Sequence, residues 1–281
     1  MTEQRADLPR VAKAGLARRQ LRAIFLSDIH LGTIGCKADR VLDFLNRNEA
    51  PVIYLVGDIL DTWRPLGGNY RDSHHQVLKH LSDRVNEGVR VIFLPGNHDD
   101  FFRNHLGSSL FGFEIMSDAE YVTQSGERLL VIHGDCCDVF SDRLAMLSKA
   151  GSWLETGIRR LGNGINKSRE WLGRGGWDGL ERLLARVNGF IRRSDRFEAR
   201  LLNLARERGF DGIICGHFHK PNLYRENGLI YANCGDWIEN CSALIEPEGG
   251  PLTLIRCQPV PDGLSHVGEH AGESDARAAL T

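Results

Sequence analysis

"VIFLPGNHD", residues 91–99, decides the fold class because it joins a short apolar run directly to a polar turn. The first four residues have the length and composition of a strand that is buried on both faces. Pro95 and Gly96 then end the run, and an amide, an imidazole and a carboxylate follow without a gap. Side chains of these types at such a position are metal ligands, catalytic groups or ordinary turn residues.

Four other apolar runs end in polar residues in the same way. They are "AIFLSDIH" (23–30), "VIYLVGD" (52–58), "LLVIHGD" (129–135) and "GIICGHFH" (212–219). Helix-like segments near 38–47 and 72–87 separate the three runs that come first in the chain, and in the second segment apolar residues recur every four positions on one helix face. Alternating strands and helices predict an α/β layered fold, in which chemistry gathers at the carboxyl ends of the strands.

The 281-residue chain is predicted to divide into a core, an insertion and two terminal segments. Residues 1–20 are expected to be a flexible N-terminal segment. Residues 21–138 and 209–260 are expected to form the α/β core, and residues 139–208 a helical cap inserted into it. The polar residues 261–281 are expected to be a disordered tail.

Composition favours a cytoplasmic protein. The N-terminus lacks the apolar region of a secretory signal, and no stretch approaches the ~20 apolar residues of a membrane span. The seven cysteines are odd in number and none lies in a C-x-x-C pair, which is typical of reduced thiols. Any contact with a membrane is therefore expected to be peripheral, at the inner face of that membrane.

The predicted cap differs from the core in both pattern and charge. Ser194 or Asp195 can cap a helix that holds Phe197, Leu201 and Leu204, and an amphipathic pattern also covers 180–191. The segment has 15 Lys or Arg against 8 Asp or Glu, a net charge of +7 in a chain whose total is −2. Its arginines can bind phosphate groups or an anionic membrane surface. A helical hairpin with a solvated basic face is the alternative.

The five polar turns carry more metal-capable side chains than one ion can use. Imidazole and carboxylate together suit manganese, iron or zinc, whereas calcium sites use oxygen alone. We therefore expect two divalent metal ions, manganese first, because two ions ~3.5–4 Å apart activate a water and stabilise in-line displacement at phosphorus. The candidates are Asp28, His30, Asp58, Asp61, Asn97, His98, Asp99, His133, Asp135, His217 and His219.

The order of these turns resembles the signature of the calcineurin-like metallophosphoesterases. That signature reads D-x-H, G-D-x-x-D, G-N-H-D, H-G-D and G-H-x-H, and the chain matches it with "SDIH", "GDILD", "GNHD", "HGD" and "GHFH" across residues 27–219. The resemblance implies a two-sheet α/β sandwich flanked by helices, with a dinuclear metal centre and phosphoric-ester hydrolase activity.

The resemblance also implies a role for each residue at the site. One metal would be bound by Asp28, His30, Asp58 and His219, and the other by Asp58, Asn97, His133 and His217, with Asp58 bridging. His98 would face the phosphate as a catalytic general acid or charge stabiliser, and Asp99 would orient His98. Asp61 and Asp135 are expected to support the ligands or to serve the turns rather than to bind metal.

The substrate class follows from a narrower resemblance. A long helical insertion between H-G-D and G-H-x-H resembles the cap of the UDP-2,3-diacylglucosamine diphosphatases of Gram-negative lipid A synthesis, and "NCGDWIENC" (233–241) resembles a block of that branch. This implies an anionic, lipid-linked substrate whose pyrophosphate is hydrolysed to UMP and a diacylglucosamine 1-phosphate. The chain departs from the better-known diphosphatases at His98, where they carry Arg, so another phospholipid or nucleotide-linked substrate stays open.

Other classes of protein share parts of this pattern. A nuclease or a phosphoprotein phosphatase could use every predicted ligand, but nucleic acid is the less favoured partner and no protein partner is implied. A non-catalytic scaffold on the same fold is disfavoured, because such proteins usually lose ligands and this chain keeps all seven.

Overall fold

Two β-sheets pack face to face in the residues that the computed structural model describes, which are 18–63, 70–137 and 194–257. Within these residues the first sheet has eight strands and the second has five. Helices cover the outer face of each sheet. The predicted α/β sandwich flanked by helices is therefore confirmed.

The first sheet contains the three earliest runs of the sequence as neighbouring parallel strands. Its strands are β1 Arg19–Leu26, β2 Asn48–Glu49, β3 Val52–Leu55, β4 Arg90–Phe93, β5 Ser109–Leu110, β6 Phe113–Ile115, β12 Ser242–Pro247 and β13 Thr253–Arg256. The order across the sheet is β13-β12-β1-β3-β4-β6-β5, with β2 paired to the start of β1. The strands β1, β3, β4 and β6 run parallel, and antiparallel strands close both edges.

The second sheet brings the two later runs together. Its strands are β7 Ala119–Val122, β8 Arg128–Val131, β9 Gly212–Cys215, β10 Asn222–Glu226 and β11 Leu229–Asn233, in the order β10-β11-β9-β8-β7. The central strands β8, β9 and β11 are parallel. The turns after β8 and β9 therefore lie side by side, although more than 70 residues separate them in the chain.

Alternate residues of β1 serve two different cores, which explains why the strand is a continuous apolar run. Phe25 packs between the sheets, 4.8 Å from the ring of Tyr54 and 5.0 Å from that of Tyr121. Ile24 and Leu26 point to the opposite face, towards the helices. Complete burial of such side chains contributes roughly 1.5–3 kcal/mol each.

The helices α1 Ala38–Arg47 and α2 Asp72–Asn86 cover the first sheet, and their bounds agree with the predicted segments to within one residue. In α2, Val77 and Leu81 are fully buried, as their spacing predicts. Two short 3-10 helices, Asp100–His105 and Asp135–Cys137, follow the turns after β4 and β8. Among the described residues, no helix has the length and hydrophobicity to span a bilayer.

The helix α3, Ser194–Glu207, lies inside the range predicted for the cap but packs against the second sheet. Its Phe197 and Leu201 are buried with Ile213 and Tyr231. At the other end of the chain, β1 begins at Arg19, within the predicted flexible segment 1–20. The predicted cap residues 139–193 and tail residues 261–281 lie outside the described residues, so this division of the chain stays a prediction.

Candidate metal centre

The polar turns after five strands meet at one edge of the sandwich. Parallel strands bring their carboxyl ends to the same edge, so residues that are distant in the sequence become neighbours. The turns after β1, β3 and β4 come from the first sheet, and those after β8 and β9 from the second. They carry all seven predicted ligands, Asp28, His30, Asp58, Asn97, His133, His217 and His219.

The backbone of these turns adopts a conformation that side chains rarely tolerate. Eight non-glycine residues of the described chain have a positive φ, and five of them are predicted ligands. A left-handed non-glycine residue costs on the order of 1–3 kcal/mol and persists where the surrounding structure enforces it, which is common at functional sites. The five are Asp28 (51°), His30 (52°), Asp58 (54°), His217 (71°) and His219 (53°).

A first group of ligand atoms consists of Asp28, His30 and His219. Oδ1 of Asp28 lies 3.2 Å from Nε2 of His219 and 3.8 Å from Nε2 of His30, and the two imidazole nitrogens are 3.3 Å apart. This carboxylate oxygen is buried and accepts no hydrogen bond. Three converging lone-pair atoms with a buried, unpartnered oxygen among them form a cradle for a cation.

A second group consists of Asp58, His133 and His217. Nε2 of His133 lies 3.4 Å from Oδ2 of Asp58 and 3.3 Å from Oδ1 of Asn97. The other ring nitrogen of His133, Nδ1, is 2.9 Å from the Val56 carbonyl, so its proton belongs there and Nε2 keeps a free lone pair. Asp58 also lies 3.9 Å from His30 of the first group and thus stands between the two groups.

The residues fit divalent metal ions in charge as well as in position. Burial lowers the pKa of His219, but the adjacent Asp28 carboxylate outweighs this effect and raises that pKa to about 9. Burial lowers the pKa of His30 to about 4, and the neighbouring His98 contributes to the shift. A divalent ion would supply the positive charge that the buried Asp28 carboxylate attracts, and both imidazoles would bind it in their neutral forms. Nitrogen and oxygen donors together suit manganese, iron or zinc.

His98 stands beside the two groups rather than inside them. Its side chain is 21% exposed, its ring centroid is 4.6 Å from that of His30, and its Nδ1 is 3.4 Å from Oδ1 of Asp61. Burial lowers the pKa of His98, but the charges of Asp58 and Asp61 outweigh burial and raise it. A partly exposed imidazole that favours its protonated form fits the role predicted for His98.

The predicted role of Asp99 as the residue that orients His98 is corrected by the structure. The buried Asp99 carboxylate accepts hydrogen bonds at 2.6–3.3 Å from four backbone N–H groups, those of Asp58, Ile59, Leu60 and Gly96. Burial raises the pKa of Asp99 to about 7, and the charge of Asp58 adds to the effect. Because its side chain is directed into the turn after β3, Asp99 holds the backbone of Asp58, and Asp61 contacts His98 instead.

Asp61 and Asp135, the predicted supporting residues, have different partners. Asp61 also forms a third candidate group with His30 and His98. Asp135 lies 2.6 Å from Nη2 of Arg103, which also donates a hydrogen bond to the Pro95 carbonyl. Asp135 therefore links the turn after β8 to the turn after β4.

Two residues that sequence reasoning missed also contact the site. The indole of Trp63 stacks on the His98 ring, with centroids 3.7 Å apart and planes 21° apart. Nδ2 of Asn240 donates a 2.8 Å hydrogen bond to the carbonyl of His219. The spacing of the motifs gives no signal for the Trp63 contact, because it joins turns that are distant in the sequence. Asn240 lies in the block 233–241, which only the resemblance singled out.

Gly96 makes space for the second group. A Cβ at this position would lie 2.7 Å from the backbone nitrogen of Asp58 and 2.7 Å from Cδ2 of His133, and closer still to the Asp58 carboxylate. The turn after β4 can therefore approach Asp58 only without a side chain at position 96.

Comparison with known proteins identifies the same region of the chain. The family model described as calcineurin-like phosphoesterase matches residues 21–221. A UDP-2,3-diacylglucosamine hydrolase of Aliivibrio fischeri (strain MJ11) is 22% identical over 79% of this chain and 92% of its own, and one of Haemophilus influenzae (strain PittGG) is 24% identical over 83% and 98%. Among solved structures, Yfce, a phosphoesterase from E. coli, aligns with a TM-score of 0.41 and 14% identity over 84% of this chain and 99% of its own.

Proposed function

Because the chain belongs to the calcineurin-like phosphoesterase family and is a metal-dependent phosphoester hydrolase, we propose that its substrate is a UDP-linked diacylated glucosamine. Hydrolysis of the pyrophosphate would give UMP and a lipid sugar 1-phosphate. The family implies divalent metal ions, and we propose two of them, manganese in the first place. The observation that carries the chemistry is the convergence of seven nitrogen and oxygen donors from both sheets at one edge.

Similarity over about four-fifths of this chain supports the substrate. The two relatives named above are UDP-2,3-diacylglucosamine hydrolases, and each aligns with this chain over more than nine-tenths of its own length. Their similarity therefore extends beyond the metal ligands, which other phosphoesterases share. Identities of 22–24% leave the substrate a proposal.

The residues divide the reaction between them. Asp28, His30, Asp58 and His219 would hold one ion, and Asp58, Asn97, His133 and His217 the other, with Asp58 between them. When bound, the two ions supply activation of the attacking water and neutralise charge at phosphorus. Because Nδ1 of His98 is turned towards Asp61, Nε2 is the atom left to protonate or stabilise a phosphoryl oxygen. The oxygen of water would form a bond to one phosphorus of the pyrophosphate while the bond from that phosphorus to the bridging oxygen breaks, so that UMP and the lipid sugar 1-phosphate separate.

The lipid part of the substrate suggests where the protein works. A diacylated sugar is held in a bilayer, so we propose that the enzyme works in the cytoplasm at the inner face of the membrane. The basic residues 139–208 carry a net charge of +7 and would meet the anionic surface or the substrate phosphates.

The proposal is tested with the full-length protein, Mn²⁺ and UDP-2,3-diacylglucosamine, with UMP as the measured product. We expect UMP that depends on Mn²⁺ and disappears in the Asp58→Asn variant. Bis(4-nitrophenyl) phosphate and single-stranded DNA are assayed in parallel. They distinguish a wrong choice of substrate from the absence of phosphoesterase activity. Hydrolysis of either without UMP would reject the diacylglucosamine substrate and keep the phosphoesterase, whereas no hydrolysis of any substrate would reject both.

A further inference from the structure

We propose that Trp63 is a positioning residue that fixes the catalytic ring of His98, as part of a clamp formed by Asp61, Thr62 and Trp63. The inference deepens the proposed function and rests on it. The clamp lies in the turn after β3, whereas Asn97 and His98 lie in the turn after β4. The first turn therefore holds these two residues of the second turn in place.

The clamp holds both the backbone and the ring of its target. The backbone N–H and Oγ1 of Thr62 both donate to the His98 carbonyl, at 3.0 and 2.7 Å. Nε1 of Trp63 donates to the Asn97 carbonyl at 2.8 Å, while its indole stacks on the imidazole at 3.7 Å. Thr62 and Trp63 therefore fix the main chain of two adjacent site residues and the plane of one ring.

The stack supplies a restraint that the other contacts cannot. An imidazole on a partly exposed turn can rotate about its χ2 bond, and the 3.4 Å contact with Asp61 is too long to fix it alone. An indole that is nearly parallel to the imidazole removes most of this freedom and favours a cationic ring. With the ring plane fixed and Nδ1 facing Asp61, Nε2 has one direction available.

A purely structural indole would have different consequences. If Trp63 only filled space, its loss would loosen both turns and lower metal occupancy, whatever residue stood at position 98. If Trp63 acts through His98, its loss matters only while the imidazole is present. The two possibilities therefore differ in their dependence on His98.

A double-mutant cycle makes this distinction. Trp63→Leu removes the aromatic face, Trp63→Phe keeps a face and loses the N–H donor, and each is combined with His98→Ala. The activity is measured with any phosphodiester that the wild type hydrolyses, so failure of the UDP substrate does not affect the test. Metal content per chain is measured for every variant.

We expect Trp63→Leu to lower kcat roughly 10- to 100-fold with KM and metal content unchanged, because small misplacements of a catalytic group have effects of this size. Trp63→Phe should lose less. In the His98→Ala background, Trp63→Leu should cause no further loss. Equal losses in both backgrounds, or loss of metal in Trp63→Leu, would overturn the proposal.

Fluorescence gives a readout that is independent of activity. An imidazole stacked on an indole quenches its emission, so His98→Ala should raise tryptophan emission in the wild-type background. The same substitution should leave the emission of the Trp63→Phe variant unchanged. A rise of equal size in both backgrounds would mean that another of the five tryptophans responds, and the proposal would fail. Should Trp63→Leu not fold, the Trp63→Phe pair still tests the dependence on His98, through the smaller loss of kcat expected for it.

Discussion

Among single residues, Asp58 is distinguished by its place between the two groups of ligand atoms. Its Oδ2 lies 3.4 Å from His133 and 3.9 Å from His30, and its carboxylate is buried. The surrounding imidazoles hold the pKa of Asp58 well below its ordinary value despite burial. An ionised carboxylate in this place can neutralise charge in both groups at once.

Substitution of Asp58 by Asn should therefore remove both metal ions and all hydrolysis. Elemental analysis of the purified variant should find well under one ion per chain, against two in the wild type. Asp83→Asn, which changes an exposed carboxylate on α2, is the matched control and should keep both ions. An Asp58→Asn protein that retains two ions would contradict the bridging position.

His98 should behave in the opposite way, because it belongs to neither the first nor the second group of candidate ligands. His98→Ala is expected to lower turnover roughly 10²- to 10⁴-fold, the range typical of a general acid, while two ions stay bound. The control is His105→Ala, which changes an exposed histidine on the adjacent 3-10 helix. Loss of both ions in the His98 variant would assign His98 to the ligands.

At the scale of an element, the turn after β3 depends on a carboxylate from the turn after β4. The Asp99 side chain accepts hydrogen bonds from four backbone N–H groups. These groups lie in turns, outside the hydrogen-bonded strands. A buried donor left without an acceptor costs about 1–3 kcal/mol. The position of Asp58 is therefore maintained by a residue that belongs to none of the candidate ligand groups.

Asp99→Asn should lower the free energy of unfolding by about 2–4 kcal/mol, because the amide nitrogen cannot accept the N–H groups that faced an oxygen. Chemical denaturation of the metal-free protein measures this loss, and Asp100→Asn, an exposed neighbour, should change little. If Asp99 instead oriented His98, the variant would keep its stability and lose only turnover. Full stability with reduced kcat would thus restore the role inferred from the sequence.

A matching prediction concerns the close approach of the same two turns. Gly96→Ala should prevent metal binding, because its Cβ would collide with the backbone nitrogen and carboxylate of Asp58. Gly250→Ala is the control, since a Cβ there would make only ordinary contact with Pro247 at 3.4 Å or more. Metal titration of both variants provides the measurement, and wild-type affinity in Gly96→Ala would show that the turns can separate without loss.

For the whole molecule, the sequence predicts those features that repeat along the chain. Two-sided burial makes β1, β3, β4, β8 and β9 continuous apolar runs, and the helical period identifies α2. Contacts between turns that are distant in the sequence cannot be predicted from the local pattern of either turn. Asp61 rather than Asp99 meets His98, and α3 packs on the second sheet, because the relative position of distant strands decides both contacts. The left-handed backbone conformation of predicted ligands such as Asp58 is another feature that the sequence pattern does not predict.

The residues of the candidate metal centre come from both sheets, so metal binding should affect global stability. Asp28, His30, Asp58 and Asn97 come from the first sheet, whereas His133, His217 and His219 come from the second. A ligand that binds only the folded chain stabilises it by about 2.7 kcal/mol at one hundred times its Kd. Since each kcal/mol shifts Tm by roughly 2–4 °C in a domain of this size, Mn²⁺ should raise Tm by roughly 5–11 °C per site.

Thermal unfolding with Mn²⁺ and with a chelator measures this shift. The rise should continue with metal concentration, because the stabilisation grows with the logarithm of the free ion. Asp58→Asn should unfold at one temperature in both conditions, since it lacks the carboxylate that stands between the two groups. A wild-type Tm that ignores the chelator, after elemental analysis has verified that the ions are gone, would mean that the two sheets hold together at this edge without metal.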